Sequence, residues 1–287
     1  SQPCRKLRMS LQATTDLGQL RAQVADWRAR GERIGLVPTM GNLHAGHLAL
    51  AEQLGSSCDR LVSSIFVNPT QFGPDEDFAT YPRTLDDDLT ALERAGVDLV
   101  WAPPIEVMYP LEEAFLVRVP DALSGTLCGQ YRPGHFDGVA SVVLRLFLQV
   151  LPDAAVFGEK DFQQLLVIRE LVRDYALDID VQALPTVREP DGLAMSSRNQ
   201  YLTVQERAVA ARLHQVLEDS AAGLRAGEAW SALRPRAIEA LKSAGFEPQY
   251  LEWRSARTLG EPVPGEPQRL LVAAFLGQAR LIDNVVV

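Results

Sequence analysis

Apolar positions along the chain follow two spacings. Leu17, Leu20, Val24 and Trp27 recur three and four residues apart and stop at Gly31, which predicts an amphipathic helix over residues 16–30. Ile34, Leu36 and Val37 then form a short apolar run closing at Pro38, a strand. After the small-residue turn Thr39-Met40-Gly41-Asn42, helical spacing resumes over residues 43–54. The next apolar run, residues 61–67, ends at Asn68-Pro69, and a helix over residues 85–94 leads through Gly96 to a strand at 97–101. Strand, helix, strand, helix, strand at these lengths predicts a parallel sheet with right-handed crossovers.

The middle repeats this order more loosely. Residues 139–150 are apolar on nearly all sides and read as a buried helix; a strand at 154–157, a helix at 162–175 and a strand at 179–183 follow. Beyond Arg188 the character changes. Helical segments at 204–225 and 229–244 precede strands at 250–254, 269–275 and 280–286, with the turn-forming run GEPVPGEP between the first two strands. The order predicts an α/β catalytic domain over residues 1–187 and a smaller α+β domain over 188–287.

Composition narrows the class. With 47% hydrophobic and 23% charged side chains over 287 residues, the chain carries enough apolar material for a sizeable core. The longest apolar stretch is broken by Arg145, so no membrane span is expected. The opening SQPCRKLRMS holds no apolar segment like that of a secretory signal, and a cytoplasmic chain is expected. Cys4, Cys58 and Cys128 are widely spaced and odd in number, which disfavours both a disulfide framework and a structural zinc site. A net charge of -9 argues against a nucleic-acid binder, because phosphate neutralisation needs a basic surface. A small anion is still admissible if a few cationic groups gather in one cleft.

Two of the four histidines, His44 and His47, lie three apart where the first apolar strand hands over to a helix. Ligands of open α/β sheets bind at such strand ends. Imidazoles beside free N–H groups and a helix dipole would suit phosphate, with Gly41 and Gly46 allowing close backbone approach. The other reading is that the glycines shape a turn and the histidines cap a helix. Gly158-Glu159-Lys160-Asp161, followed by Gln163 and Gln164, puts an ammonium at a second strand end; a solvated helix start with Asp161 as cap is the alternative. Met195-Ser196-Ser197-Arg198-Asn199 suits a mobile phosphate clamp, and is equally ordinary linker composition. Asn68 and Gln71 offer amides beside the apolar Phe66. Asp86-Asp87-Asp88 complements a helix dipole, or one of them holds Mg²⁺.

Taken jointly, PTMGNLHAGH, FVNPTQFGPDEDFATYPRTLDDD, RPGHFDGV, VFGEKDFQQL, VREPDGLAMSSRNQYL, YLEWR and LGQARLIDN resemble the pantothenate synthetase (pantoate–beta-alanine ligase) family over nearly the whole chain. HxGH and MSSRN are also similar to the two signatures of the class I aminoacyl-tRNA synthetase and nucleotidyltransferase superfamily. The resemblance implies a Rossmann-like N-terminal domain, a C-terminal lid, a homodimer, and Mg²⁺ with ATP as cosubstrate. It implies condensation of (R)-pantoate with β-alanine through a pantoyl adenylate, giving pantothenate, AMP and pyrophosphate. His44, His47, Lys160, Ser196, Ser197 and Arg198 would be the catalytic set. ATP would meet Met40, Gly41, Asn42, Leu43, His44, Ala45, Gly46 and His47, then Gly158, Glu159, Lys160 and Asp161, and Val187 and Met195 to Arg198. Pro38, Met40, Asn68, Gln71 and Gln164 would bind pantoate and β-alanine, against Phe66 and Val142 or Val143. Asp88 would hold Mg²⁺, with Arg132 and Arg188 as further phosphate contacts. An HxGH enzyme that transfers AMP to a phosphorylated substrate would instead need a basic pocket, where FVNPTQF supplies amides.

Overall fold

The computed structural model describes residues 11–74 and 76–287. Cys4, the opening SQPCRKLRMS and Asp75 lie outside them. The elements in chain order are β1 Gln12–Thr14, α1 Leu17–Ala29, β2 Ile34–Thr39, α2 Ala45–Leu54, β3 Arg60–Ile65, α3 Leu85–Ala95, β4 Leu99–Trp101, α4 Ile105–Met108, α5 Asp121–Ser124, α6 Cys128–Tyr131, α7 His135–Val150, β5 Ala154–Gly158, α8 Phe162–Asp174, β6 Asp180–Leu184, α9 Val204–Ala210, α10 Arg212–Arg225, α11 Trp230–Ser243, β7 Glu247–Ser255, β8 Gln268–Leu276 and β9 Ala279–Val286. Short 3-10 turns occupy Pro69–Gln71, Glu159–Asp161 and Ser197–Tyr201. Among the described residues no helix is long and apolar enough to cross a membrane.

Two compact units divide the chain, and the first comprises the residues up to Arg118 together with His135–Gly158 and Ile168–Leu184. Its sheet has the strand order β1-β4-β3-β2-β5-β6, with every neighbouring pair parallel. Parallel strands covered on both faces need near-continuous apolar runs, and Ile34, Leu36 and Val37 of β2 are fully buried. Proline is unusual in a central strand. Pro38 is accommodated because β5 pairs β2 only at Gly35 and Leu36, leaving that edge open beyond them. From β2 the chain runs outward to β3 and β4, then returns to the other side at β5. The carboxyl ends of β2 and β5 therefore flank the point where strand order reverses, the usual crevice of a doubly wound sheet. The expected parallel α/β sheet is present. β1 was not anticipated, since Gln-Ala-Thr carries no apolar pattern and exists as a strand only by pairing with Leu99, Val100 and Trp101.

The second unit comprises Val119–Gly134, Glu159–Val167 and Pro185–Val287. Its antiparallel sheet, β7-β8-β9, shares a core of Leu213, Val216, Leu217, Leu241, Leu270 and Val272 with α10 and α11. The segment expected as one helix over 204–225 changes over at Ala211, whose φ of -63° and ψ of -16° keep the path helical. A single cut at 187/188 does not describe these units, because residues 119–134 and 159–167 group with the later part of the chain. The reason is specific bonding: Cys128 N–H donates to Gln163 Oε1 at 3.0 Å, Cys128 Sγ lies 3.1 Å from the Tyr250 hydroxyl, and Asn284 of β9 donates to the carbonyls of Glu159 and Lys160.

Candidate active site

The turn after β2 is made by two successive left-handed residues, Gly41 at φ +79° and Asn42 at φ +51°. Gly41 is required twice over, since a Cβ there would stand 3.0 Å from Asp88 Oδ2 and 3.2 Å from Ile65 Cγ2. His44 is the N-cap of α2 rather than a residue of its first turn, and its Nδ1 accepts from Gly46 N–H at 3.1 Å. His47 Nδ1 in turn accepts from His44 N–H at 3.3 Å, and the ring centroids are 4.1 Å apart. A ring nitrogen that accepts carries no proton, so each neutral imidazole holds its hydrogen on Nε2. The capping reading of these histidines is realised, and it makes both of them Nε2–H donors.

The expected cradle of open backbone N–H groups is mostly filled from within. Gly41 N–H donates to Thr39 Oγ1, Asn42 and Leu43 N–H to Asp88, His44 N–H to His47, and His47 N–H to the His44 carbonyl. The named backbone N–H groups of this strand end are thus already occupied by internal partners.

Asn68 is 1% exposed and caps the turn Pro69–Gln71. Its Oδ1 accepts from Thr70 N–H, the Thr70 hydroxyl and the Tyr109 hydroxyl, while Nδ2 donates to the Gly138 carbonyl and Gln71 Oε1. With its amide so committed, the expected contact of Asn68 with substrate gives way to a different task, that of orienting Gln71. Gln71 Nε2 reaches Met40 Sδ at 3.4 Å, which brings two expected substrate residues together. A Cβ at Gly138 would stand 2.3 Å from the Thr70 carbonyl, so only glycine lets α7 meet this turn. Tyr109, His135 and Arg145 complete the wall. Burial pushes the Tyr109 phenol up, against the Thr70 hydrogen bond and the Arg145 charge. Arg145 Cζ stacks 4.6 Å from the Tyr109 ring, and His135 Nδ1 lies 2.7 Å from the Gln71 carbonyl. Sequence reasoning missed these three residues; the HFDGV run and the arginine interrupting an apolar helix were the available signals. Phe66, Val142 and Val143 are buried, and Pro38 is half-buried.

In the second unit, the turn Glu159–Asp161 follows Gly158, the last residue of β5. Glu159 pairs with Arg269 at 2.8 Å, and the Arg269 guanidinium lies 4.2 Å from the centre of the Phe162 ring. Asn284 Nδ2 donates to the Glu159 carbonyl at 2.8 Å and to the Lys160 carbonyl at 3.0 Å. Glu159 is thus engaged by a structural arginine, while the half-buried Lys160 forms no ion pair among the described residues. Arg269 and Asn284 were also missed, although LIDN was a recognised run. Of the two glutamines that follow, Gln163 is a buried tie to residues 123–128 and Gln164 is half-buried.

Val187 and Met195 are joined by a backbone hydrogen bond, and Arg188 bridges to Ala194. Arg188 donates to the Gly192 carbonyl and makes a two-pronged pair with Asp283 at 2.7 and 2.9 Å, so the expected phosphate contact is replaced by a structural one. Burial pushes the Asp283 carboxyl up, but the His214 and Arg188 contacts outweigh it and hold the group below the ordinary aspartate range. Ser196 caps the turn Ser197–Tyr201, accepting from Arg198 N–H, and Asn199 donates to the Ala194 carbonyl. The expected clamp is therefore a built turn. Asp161, Met195, Ser196, Ser197, Arg198 and Arg132 are all half-buried.

Asp88 does not fit Mg²⁺. Its side chain belongs to a residue only 3% exposed, and both carboxylate oxygens already face protein donors: Leu43 N–H at 2.9 Å on Oδ1, and Asn42 N–H at 3.0 Å with the Thr84 hydroxyl at 3.1 Å on Oδ2. Those donors bring partial positive charge to the places a cation would take. Among the described residues no group of three or more His, Cys, Asp or Glu side chains is arranged to hold a metal ion.

The profile of the Pantoate-beta-alanine ligase family matches residues 12–286. A pantothenate synthetase of Alkalilimnicola ehrlichii is 55% identical over 279 residues, covering 96% of each chain. One from Xylella fastidiosa strain 9a5c is 52% identical over 280 residues, 96% of this chain and 99% of its own. The crystal structure of pantothenate synthetase from Thermus thermophilus superimposes with a TM-score of 0.89 at 44% identity, over 96% of this chain and 98% of that one. The Francisella tularensis pantoate-beta-alanine ligase, complexed with beta-gamma ATP and beta-alanine, gives 0.82 at 31% identity over 96% and 97%. By its sequence over nearly its full length and by its fold, the chain belongs to the pantoate–beta-alanine ligase family.

Proposed function

We propose that the chain condenses (R)-pantoate with β-alanine at the expense of ATP, through a pantoyl adenylate, releasing AMP and pyrophosphate. The observation that carries this reading is the interlocked pair His44 and His47, two Nε2–H donors at the carboxyl end of β2. A carboxylate and an amine do not condense in water at useful rates, so the carboxylate must first be activated. A pantoate carboxylate oxygen attacks the α-phosphorus of ATP; the bond to the bridging oxygen breaks and pyrophosphate leaves. The free amine of β-alanine then attacks the acyl carbon of the mixed anhydride, AMP departs, and the amine's surplus proton passes to solvent.

Attack at phosphorus needs in-line positioning and charge cancellation more than it needs a base. His44 and His47 donate to phosphate oxygens as charge shifts toward the leaving group, a form of stabilisation available without proton transfer. Neither pyrophosphate nor AMP must be protonated to leave, which favours this role over that of a proton donor. Lys160 offsets charge near the α-phosphate, and Ser196, Ser197 and Arg198 hold the triphosphate. Gly158, Asp161, Val187 and Met195 meet the nucleoside. Gln71 and Gln164 read the pantoate hydroxyls, while Pro38, Met40 and Phe66 cover its gem-dimethyl group. A site built to bond a hydroxyl rejects analogues lacking it by roughly 10⁴.

The ATP-type ligand and β-alanine of the Francisella tularensis relative support the same cosubstrate and amine here. Mg²⁺ would accompany the ATP phosphates, and no residue of this chain is assigned to it. That residues 188–287 serve as a lid, although they share their compact unit with residues 119–134 and 159–167, is part of the proposal, as are a cytoplasmic location and a homodimer. The exposed Leu111, Phe115 and Leu116 offer an apolar surface to a second copy, and sedimentation at the mass of one chain would refute the dimer. The reaction itself is tested by its products. One AMP per pantothenate supports the adenylate; ADP and phosphate would point to an acyl phosphate and overturn it.

A further inference from the structure

We infer that Asp88 is the positioning residue of the turn that presents His44, a built-in anion rather than a metal ligand. Left-handed residues at Gly41 and Asn42 turn the backbone here, and the consecutive N–H groups of Asn42 and Leu43 converge on one carboxylate. The anion is internal. Leu43 N–H and Asn42 N–H each meet a different oxygen of the Asp88 carboxylate, and Thr84, just before α3, donates its hydroxyl to the second oxygen.

The next N–H along the chain, that of His44, starts the interlocked cap with His47. Asp88 thus holds the two residues immediately before the histidine, and Thr39, whose hydroxyl bonds the Ser64 carbonyl, holds the residues before those. Gly41 permits the arrangement, because a Cβ there would press on Asp88 Oδ2. Asparagine cannot replace the aspartate: it supplies one acceptor oxygen, and its NH₂ group would face the N–H left over.

The rate effect rests on the proposed role of His44, whereas the backbone effect does not, so the experiment reads both. In D88N, amide exchange at Asn42 and Leu43 is expected to speed up by about tenfold or more while β2 amides stay protected. The half-saturating Mg²⁺ concentration should stay within about twofold of wild type, where loss of a metal ligand would raise it about tenfold or more. Turnover should fall with little change in KM for β-alanine. Unchanged exchange at both amides, or a Mg²⁺ requirement raised by that amount and met by excess metal, overturns the inference. T84V decides the matter if D88N does not fold. It keeps the carboxylate but removes one donor from Oδ2, and should speed exchange at Asn42 more than at Leu43; wild-type exchange at Asn42 counts against the anchor. Accelerated exchange with unaltered turnover would leave Asp88 as a backbone anchor only and overturn its part in presenting His44, whose own role H44N tests separately.

Discussion

Replacing His44 by asparagine separates its two tasks. Asparagine is among the best N-caps, so its Oδ1 can accept the Gly46 N–H that His44 Nδ1 now accepts at 3.1 Å. It brings no donor to the place of Nε2–H. The contact to His47 Nδ1 at 3.3 Å uses the His44 backbone and survives either substitution. H44A, which loses the side-chain cap, should be destabilised by about 1 kcal/mol, and H44N by no more than about 0.5 kcal/mol. Loss of one transition-state donor costs about 10²–10³ in turnover, or roughly 3–4 kcal/mol, several times the cap. Both variants should therefore lose turnover alike and differ in stability. Urea unfolding gives the second quantity, and initial rates of AMP formation at saturating substrates give the first. If H44N stays within about tenfold of wild type, capping is the whole role of His44 and the phosphate-donor argument fails.

Three further outcomes follow from the same geometry. K160A should lower turnover about 10²–10³-fold with stability unaltered, because among the described residues the ammonium makes no ion pair to lose; a smaller drop, below about tenfold, would make it a binding aid only. N284A removes two hydrogen bonds to the carbonyls of Glu159 and Lys160 and should cost about 1–3 kcal/mol in urea unfolding along with activity, and unchanged values of both would contradict its holding role. The hydrogen bonds from Arg60 hold the Glu32 carboxyl below its ordinary value of 4.5, against the opposing effect of burial. Because the folded value is the lower one, this stabilisation is complete above the unfolded value and fades as pH falls through the folded one. The stability gap between wild type and E32Q should be flat near neutral pH and close in acid, and a gap that persists undiminished in acid refutes it.

Much of the fold was legible because parallel strands buried on both faces leave continuous apolar runs, as at Ile34 to Val37 and Ala154 to Phe157. β1 was not, since three residues with one buried side chain carry no period. The histidine pair, Lys160 and the MSSRN turn were legible as residue types at strand ends and in a loop. Helix capping by the histidines was legible as one of two readings, and the rest of the local bonding was not. Nothing in the spelling of Asp86-Asp87-Asp88 says which carboxylate turns inward, and Asp88 does so to meet N–H groups 45 and 46 residues away. Asn68 read as a substrate amide because the spacing cannot show that Tyr109 and Gly138 have already taken its polar atoms. Arg269 and Asn284 support Glu159 and Lys160 from more than 100 residues along the chain, a distance at which only the folded path makes neighbours.

The central claim is that pantoate is activated as its adenylate before β-alanine takes part. Isotope exchange between pyrophosphate and ATP, measured with pantoate present and β-alanine absent, tests it most directly. The account predicts exchange that requires pantoate and is strongly reduced in H44N and K160A. Exchange absent under all conditions, while pantothenate still forms from the complete mixture, would contradict it.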